Sequence, residues 1–271
     1  MAKITKDRIL KNNTIGFIAT MGALHEGHLS LIQKARDEND IVIVSIFVNP
    51  KQFSNAQDLK KYPRDSQKDG SFVEPFVDYL FVPTEQEMYP SDFHTSIAVG
   101  DHAHDLEGEF RPGHFEGMAT VVHKLIAICQ PTRTYFGLKD YQQFIVVSQM
   151  VKDLNMKTKV IGVQTVREAS GLAMSSRNTQ LSREEQATST LIYAALQKAK
   201  ELIQNNIHNP RVVEQFMTSE LVKLPKSKIE YVAVRTLKLE KTQHIESDIV
   251  LLVALHIGKV RLIDNIIVYN K

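Results

Sequence analysis

The chain has 271 residues, 43% hydrophobic and 24% charged, with 33 basic against 31 acidic side chains and a formal net charge of +2. That is the composition of a globular enzyme, and it provides no whole-molecule field for nucleic acid or an anionic membrane, so any anion site must be local. One cysteine excludes an intramolecular disulfide, and the length suits two modest domains or one large one.

Taken in chain order, the N-terminus lacks the apolar core of a secretory signal, and no run is long enough for a membrane span; a cytoplasmic location is expected. Residues 15–19 read as a strand and 28–39 as a helix, with Leu29, Ile32 and Ala35 at helical spacing. Residues 41–48 are a nearly unbroken apolar run, the mark of a parallel strand buried on both faces. A short strand is expected at 78–82, a helix at 118–129, a strand at 134–136, a helix at 140–154 and a strand at 160–166. Cys129 lies in an apolar run and reads as a buried small hydrophobe. This alternation predicts an α/β fold: a Rossmann-like parallel sheet domain over residues 1–177. From residue 178 the pattern changes. A helix at 183–202 and another opening at Asn209-Pro210 and running to about 223 precede strands at 229–235, 249–257 and 259–263. These predict a smaller α+β C-terminal domain over 178–271.

The polar signatures follow the strands. Thr20-Met21-Gly22-Ala23-Leu24-His25-Glu26-Gly27-His28 comes after the first, Asn49-Pro50-Lys51-Gln52-Phe53 after the second, and Gly137-Leu138-Lys139-Asp140-Tyr141-Gln142-Gln143 after a later one. In a parallel sheet all three fall on the carboxyl edge, where ligands collect. A strand-to-helix turn is expected to aim backbone N–H groups and a helix dipole at one point, and two imidazoles there suit a polyphosphate, which should favour imidazolium. The neutral amides of Asn49 and Gln52 suit hydroxyls or a carboxylate. Lys139 can neutralise a phosphate, Asp140 can take a ribose hydroxyl or cap a helix, and Gln143 points the same way as Lys139. Met174-Ser175-Ser176-Arg177 has phosphate-binding chemistry, or is a polar linker. Residues 107–115 read as a mobile flap carrying Arg111. The alternating acidic and histidine residues at 101–105 read as a solvated loop rather than a transition-metal site. No nucleophile elbow, Walker A sequence or Rossmann glycine fingerprint is present, which weighs against hydrolase, P-loop kinase and dehydrogenase readings.

In this order the motifs, together with Tyr62-Pro63-Arg64 and Arg261-Leu262-Ile263-Asp264-Asn265, span nearly the whole chain. They resemble the pantoate–β-alanine ligase family of the adenylate-forming nucleotidylyltransferase superfamily. The resemblance implies an ATP-dependent condensation of pantoate with β-alanine to pantothenate through pantoyl adenylate, releasing AMP and pyrophosphate. It implies catalytic roles for His28, His25 and Lys139. ATP would be bound by Met21, Gly22, Ala23, Leu24, His25, Glu26, Gly27, His28, Gly137, Leu138, Lys139, Asp140, Val166, Met174, Ser175, Ser176 and Arg177. Gln52 and Gln143 would bind pantoate, Gln52 also β-alanine, and Asp69 would lie near Mg²⁺. The expected partners are these small molecules and a second copy of the chain in a homodimer, with no nucleic acid and no membrane. Three positions depart from the family pattern: Ala19 replaces a usual proline, Lys51 a common methionine and Leu138 the usual glutamate. A transferase that leaves its nucleotide on the product, or a nucleotide-binding regulatory module, would share only part of these motifs.

Overall fold

The computed structural model describes residues 12–270. The expectation about a secretory signal, and the first eleven residues of the expected 1–177 domain, fall on positions 1–11 and lie outside the described residues. The chain divides into two units, residues 1–138 with 142–164, and residues 139–141 with 165–271.

The first unit runs β1 (Ile15–Thr20), α1 (Glu26–Glu38), β2 (Ile41–Ile46), α2 (Ala56–Lys61), α3 (Ser66–Val73), β3 (Tyr79–Phe81), α4 (Glu85–Met88), α5 (Glu107–Phe110), α6 (His114–Cys129), β4 (Arg133–Gly137), α7 (Tyr141–Asp153) and β5 (Lys159–Val163). Its strands form one parallel sheet in the order β3-β2-β1-β4-β5. Apolar side chains on alternate faces of β1 enter two different cores. Phe17 packs with Phe115, Met118 and Val147 on one side, and Ile18 with Ile32, Ala35 and Val44 on the other. Burial on both faces is why β1 and β2 read as continuous apolar runs. The winding reverses between β1 and β4, and ligands of doubly wound sheets bind outside the strand ends at such a reversal.

The second unit contains α8 (Arg183–Gln204), α9 (Pro210–Leu221) and an antiparallel sheet of β6 (Ser227–Thr236), β7 (Ile249–Ile257) and β8 (Val260–Val268). Ile192, Leu196 and Ala199 of α8 and Val213 and Met217 of α9 share a core with Leu251, Val253 and Leu255 of β7. The capping box of Ser182 and Glu185 starts α8, and Asn209 with Pro210 starts α9 as anticipated.

Several boundaries differ from the sequence reading, four of them for identifiable reasons. Helix α1 starts at Glu26 because His25 caps it. Helix α6 starts at His114, four residues early, directly after Gly113, whose left-handed backbone (φ +76°) precedes its first turn. Strand β8 runs to Val268, and the polar pair Asp264 and Asn265, which looked like a strand end, is buried within it. The change of unit falls between Gln164 and Thr165 instead of at 177/178, because Arg167 pairs with Asp264 of β8.

Candidate active site

The turn after β1 combines two left-handed residues, Gly22 (φ +82°) and Ala23 (φ +53°). An alanine there is strained and needs an external hold. Asp69 of α3 supplies it: Oδ2 accepts the Ala23 N–H and Oδ1 the Leu24 N–H, each at 2.8 Å. Asp69 is 5% exposed, and a Cβ on Gly22 would stand 2.8 Å from its Oδ2, so glycine is needed for the approach. The expected Mg²⁺ ligand is thus a clamp on the turn, with both oxygens engaged by backbone. Among the described residues no group of three or more His, Cys, Asp or Glu side chains could hold a metal.

The same contacts revise the expected N–H cradle. Gly22 N–H donates to Thr20 Oγ1 (3.3 Å), His25 N–H to His28 Nδ1 (3.3 Å) and Gly27 N–H to His25 Nδ1 (3.1 Å). With Ala23 and Leu24 held by Asp69, most of the turn's donors are used internally. What the turn carries instead is the imidazole pair, with ring centroids 4.2 Å apart at the start of α1. Each Nδ1 accepts from a backbone N–H, so in each neutral ring the proton resides on Nε2. An imidazolium, expected with a bound polyphosphate, would carry a hydrogen on Nδ1 and so lose its capping bond.

The segment after β2 is fixed by Asn49, which is fully buried and uses its whole hydrogen-bonding capacity. Its Nδ2 donates to Gln52 Oε1 and Gly117 O (both 3.0 Å), and its Oδ1 accepts from Lys51 N–H (3.3 Å) and Tyr89 O–H (2.8 Å). Asn49 is therefore a positioning residue and has no capacity left for the substrate contact its residue type had implied. It orients Gln52: Oε1 accepts from Asn49, which leaves Nε2 as the donor end, and Nε2 donates to Met21 Sδ at 3.1 Å. His114 Nδ1 holds the Gln52 carbonyl at 2.8 Å, a role the sequence did not signal. Burial, more than the nearby Glu85 charge, raises the Tyr89 phenol pKa and keeps it a neutral donor to Asn49.

The chain leading into the expected flap is held by Gln142. Gln142, 4% exposed, accepts Glu107 N–H at 2.9 Å and donates to His102 O (2.7 Å) and Asp105 O (2.8 Å). Its neighbour Gln143 is half-buried in the first turn of α7, with no side-chain hydrogen bond among the described residues. The Leu138 side chain is buried, and a Cβ on Gly162 of β5 would stand 2.7 Å from its Cδ2. Its departure from the usual glutamate therefore serves packing, and Leu138 can offer a ligand its backbone alone.

In the second unit, Lys139 has Asp140 at 3.8 Å, a long contact that leaves its ammonium weakly neutralised. Val166 O accepts Met174 N–H at 3.0 Å, which brings two of the expected nucleotide contacts together. Ser175 Oγ accepts Arg177 N–H (3.2 Å), opening a short 3₁₀ turn at Ser176–Gln180. Arg177 forms no ion pair among the described residues.

A parallel sheet in 3-2-1-4-5 order, with an H-x-G-H turn leaving its first strand at the winding reversal, defines a Rossmann-like α/β protein of the nucleotide-binding kind. Residues 1–267 match the family model described as Pantoate-beta-alanine ligase. The chain is 47% identical over 273 residues to the pantothenate synthetase of Fervidobacterium nodosum, covering 99% of this chain and 96% of that one. It is 45% identical to that of Caldicellulosiruptor bescii, covering 100% and 97%. The crystal structure of pantothenate synthetase from Thermus thermophilus superposes with a TM-score of 0.91 at 41% identity, covering 95% of this chain and 94% of that one. Pantoate-beta-alanine ligase from Francisella tularensis, complexed with beta-gamma ATP and beta-alanine, superposes with a TM-score of 0.78 at 41% identity, covering 97% and 94%. The chain belongs to the pantoate–β-alanine ligase family.

Proposed function

We propose that this chain condenses pantoate with β-alanine at the expense of ATP. The pantoate carboxylate attacks the α-phosphorus, forming a carboxyl–phosphate bond as the bridging P–O bond to pyrophosphate breaks. The β-alanine amine then attacks the acyl carbon, the C–N bond forms, AMP leaves with its oxygen, and the amine proton passes to solvent. No protein nucleophile is required, because the substrate carboxylate supplies one. Catalysis rests on orientation and on donors aimed at developing phosphate charge.

The observation that carries this reading is the pair of Nδ1-capped imidazoles. His28 and His25 act as neutral Nε2–H donors to the phosphate oxygens. Residues 21–28, Gly137, Leu138, Lys139, Asp140, Val166 and residues 174–177 contact ATP, with Lys139 neutralising phosphate. Gln52 donates through Nε2 to pantoate and to β-alanine, and Gln143 binds pantoate. ATP enters as its Mg²⁺ complex, an ion that keeps several waters and needs no protein cage. A cytoplasmic homodimer is part of the same reading; no described helix is long and apolar enough to cross a membrane.

The test is incubation with ATP, Mg²⁺, pantoate and β-alanine, omitting each in turn. AMP, pyrophosphate and pantothenate in equal amounts are expected. ADP release, or a stable nucleotidylated product, would overturn the reading. Light scattering across a concentration series checks the dimer.

A further inference from the structure

Asp264 and Asn265 are adjacent on β8, each 5% exposed, and no step above uses either. Asp264 meets Arg167 fork to fork, with Nη1 to Oδ2 at 2.7 Å and Nη2 to Oδ1 at 2.8 Å. The same guanidinium donates to Gly171 O (3.1 Å) and Asn265 O (3.2 Å), and lies 3.8 Å over the Tyr193 ring. Arg167 is thereby the root of a folded loop. Residues Arg167 and Ala173 form an antiparallel bridge, Gly171 turns at φ +90° against Tyr193, and Met174 N–H bonds Val166 O. Asn178 Nδ2 closes the far side, donating to Glu168 Oε1 (2.9 Å) and Ala173 O (3.0 Å). Residues 174–177 are carried between these two anchors.

Asn265 reaches another segment of the same unit. Its Nδ2 donates to the Lys139 carbonyl at 2.7 Å. Two neighbouring residues of one strand therefore tie down two segments far apart in sequence, both assigned to ATP. A buried ion pair contributes little net stability compared with apolar packing, so stability alone is a poor reason for one here. Its bidentate geometry does fix orientation.

We propose that Asp264 and Asn265 are positioning residues for ATP, with β8 setting the backbone of Lys139 and the 174–177 turn in one fixed spacing. This rests on the assignment of those two segments to ATP. The test measures ATP affinity by calorimetry, independent of turnover, in wild type, Asn265→Ala and Asp264→Asn. Asn265→Ala, which loses one hydrogen bond, should raise the ATP Kd about three- to tenfold, and Asp264→Asn, which removes the buried countercharge and turns an amide donor toward Arg167, should raise it at least as much. The KM values for pantoate and β-alanine at saturating ATP should stay within about twofold, and Met217→Ala, which loosens the core of the same unit without touching these contacts, should leave the ATP Kd near wild type, a difference that a general loosening of the unit would not produce. Asn265→Asp, which keeps the side-chain shape but turns an acceptor toward Lys139 O, should be at least as impaired as Asn265→Ala, and it is read if the alanine variant does not fold. Folded variants with wild-type ATP affinity, or with all three constants raised equally, would overturn the positioning role. Wild type that binds ATP but makes no pantothenate would instead overturn the proposed reaction and leave the ATP comparison readable.

Discussion

His25 and His28 each use Nδ1 as a helix cap, so each has a structural and a chemical duty. His28→Ala should cost about 0.5–2 kcal/mol of stability through the lost cap. It should also lower pantoate-dependent ATP–pyrophosphate exchange by about 10²–10³-fold through the lost phosphate donor. Thermal melting separates the two, and a folded variant keeping more than a tenth of the exchange rate would remove His28 from the chemistry. Asp69 is the second residue whose role the geometry changes. Asparagine at 69 can accept only one of the two N–H groups and turns its own donor against the other, a cost of about 1–3 kcal/mol. Asp69→Asn should therefore melt earlier and bind ATP more weakly, with an unchanged Mg²⁺ requirement in a titration of activity. A strongly shifted Mg²⁺ requirement at unchanged stability would return Asp69 to the metal. The H-x-G-H spacing was visible in the sequence. The tautomer was not, because it depends on which ring nitrogen meets which amide.

Helix α6 matters to the site through a glycine. A Cβ at Gly117 would stand 2.1 Å from Lys51 O and 2.8 Å from Gln52 N, and both contacts are backbone, so no rotamer relieves them. Gly117→Ala should cost at least the roughly 1–3 kcal/mol typical of overpacking. It should also displace the turn that aims Gln52, raising the pantoate KM while leaving the ATP Kd near wild type. A lowered melting temperature with an unaltered pantoate KM would separate that turn from substrate recognition. The helices and strands themselves were largely legible, since the apolar spacing of α1, β1 and β2 is a local property. The start of α6 was not, because Gly113 and Gly117 look alike in sequence: one has φ +76° in open space, the other is pressed against a neighbouring turn.

For the whole molecule, buried acidic protons set an alkaline limit. Burial pushes the Cys129 thiol up to about 12 from its ordinary 9.0. It also pushes the phenols of Tyr135 and Tyr141 up to about 12 from 10.0. A raised folded pKa contributes stability that is complete below the unfolded value and is lost as pH rises through the folded one. The urea midpoint should thus be lower at pH 10 than at pH 8, with Cys129 alone responsible for on the order of 1 kcal/mol. Cys129→Ala should shrink that difference, and a thiol reagent at pH 8 should react with the unfolded chain and spare the native one; an equally fast native reaction would contradict the burial argument. Sequence alone determined the parallel α/β class, the smaller C-terminal unit, the placement of three polar motifs after strands, and the family resemblance. All of these follow from local periodicity and motif order. Tertiary structure decided that Asp69 clamps the turn from 46 positions away, that Asn49 reaches Gly117 across 68, and that Asp264 and Asn265 reach Arg167 and Lys139 across 97 and 126. The physical reason is that a buried polar side chain takes its role from the partner that satisfies it, and that partner is chosen by the folded chain rather than by its neighbours in sequence.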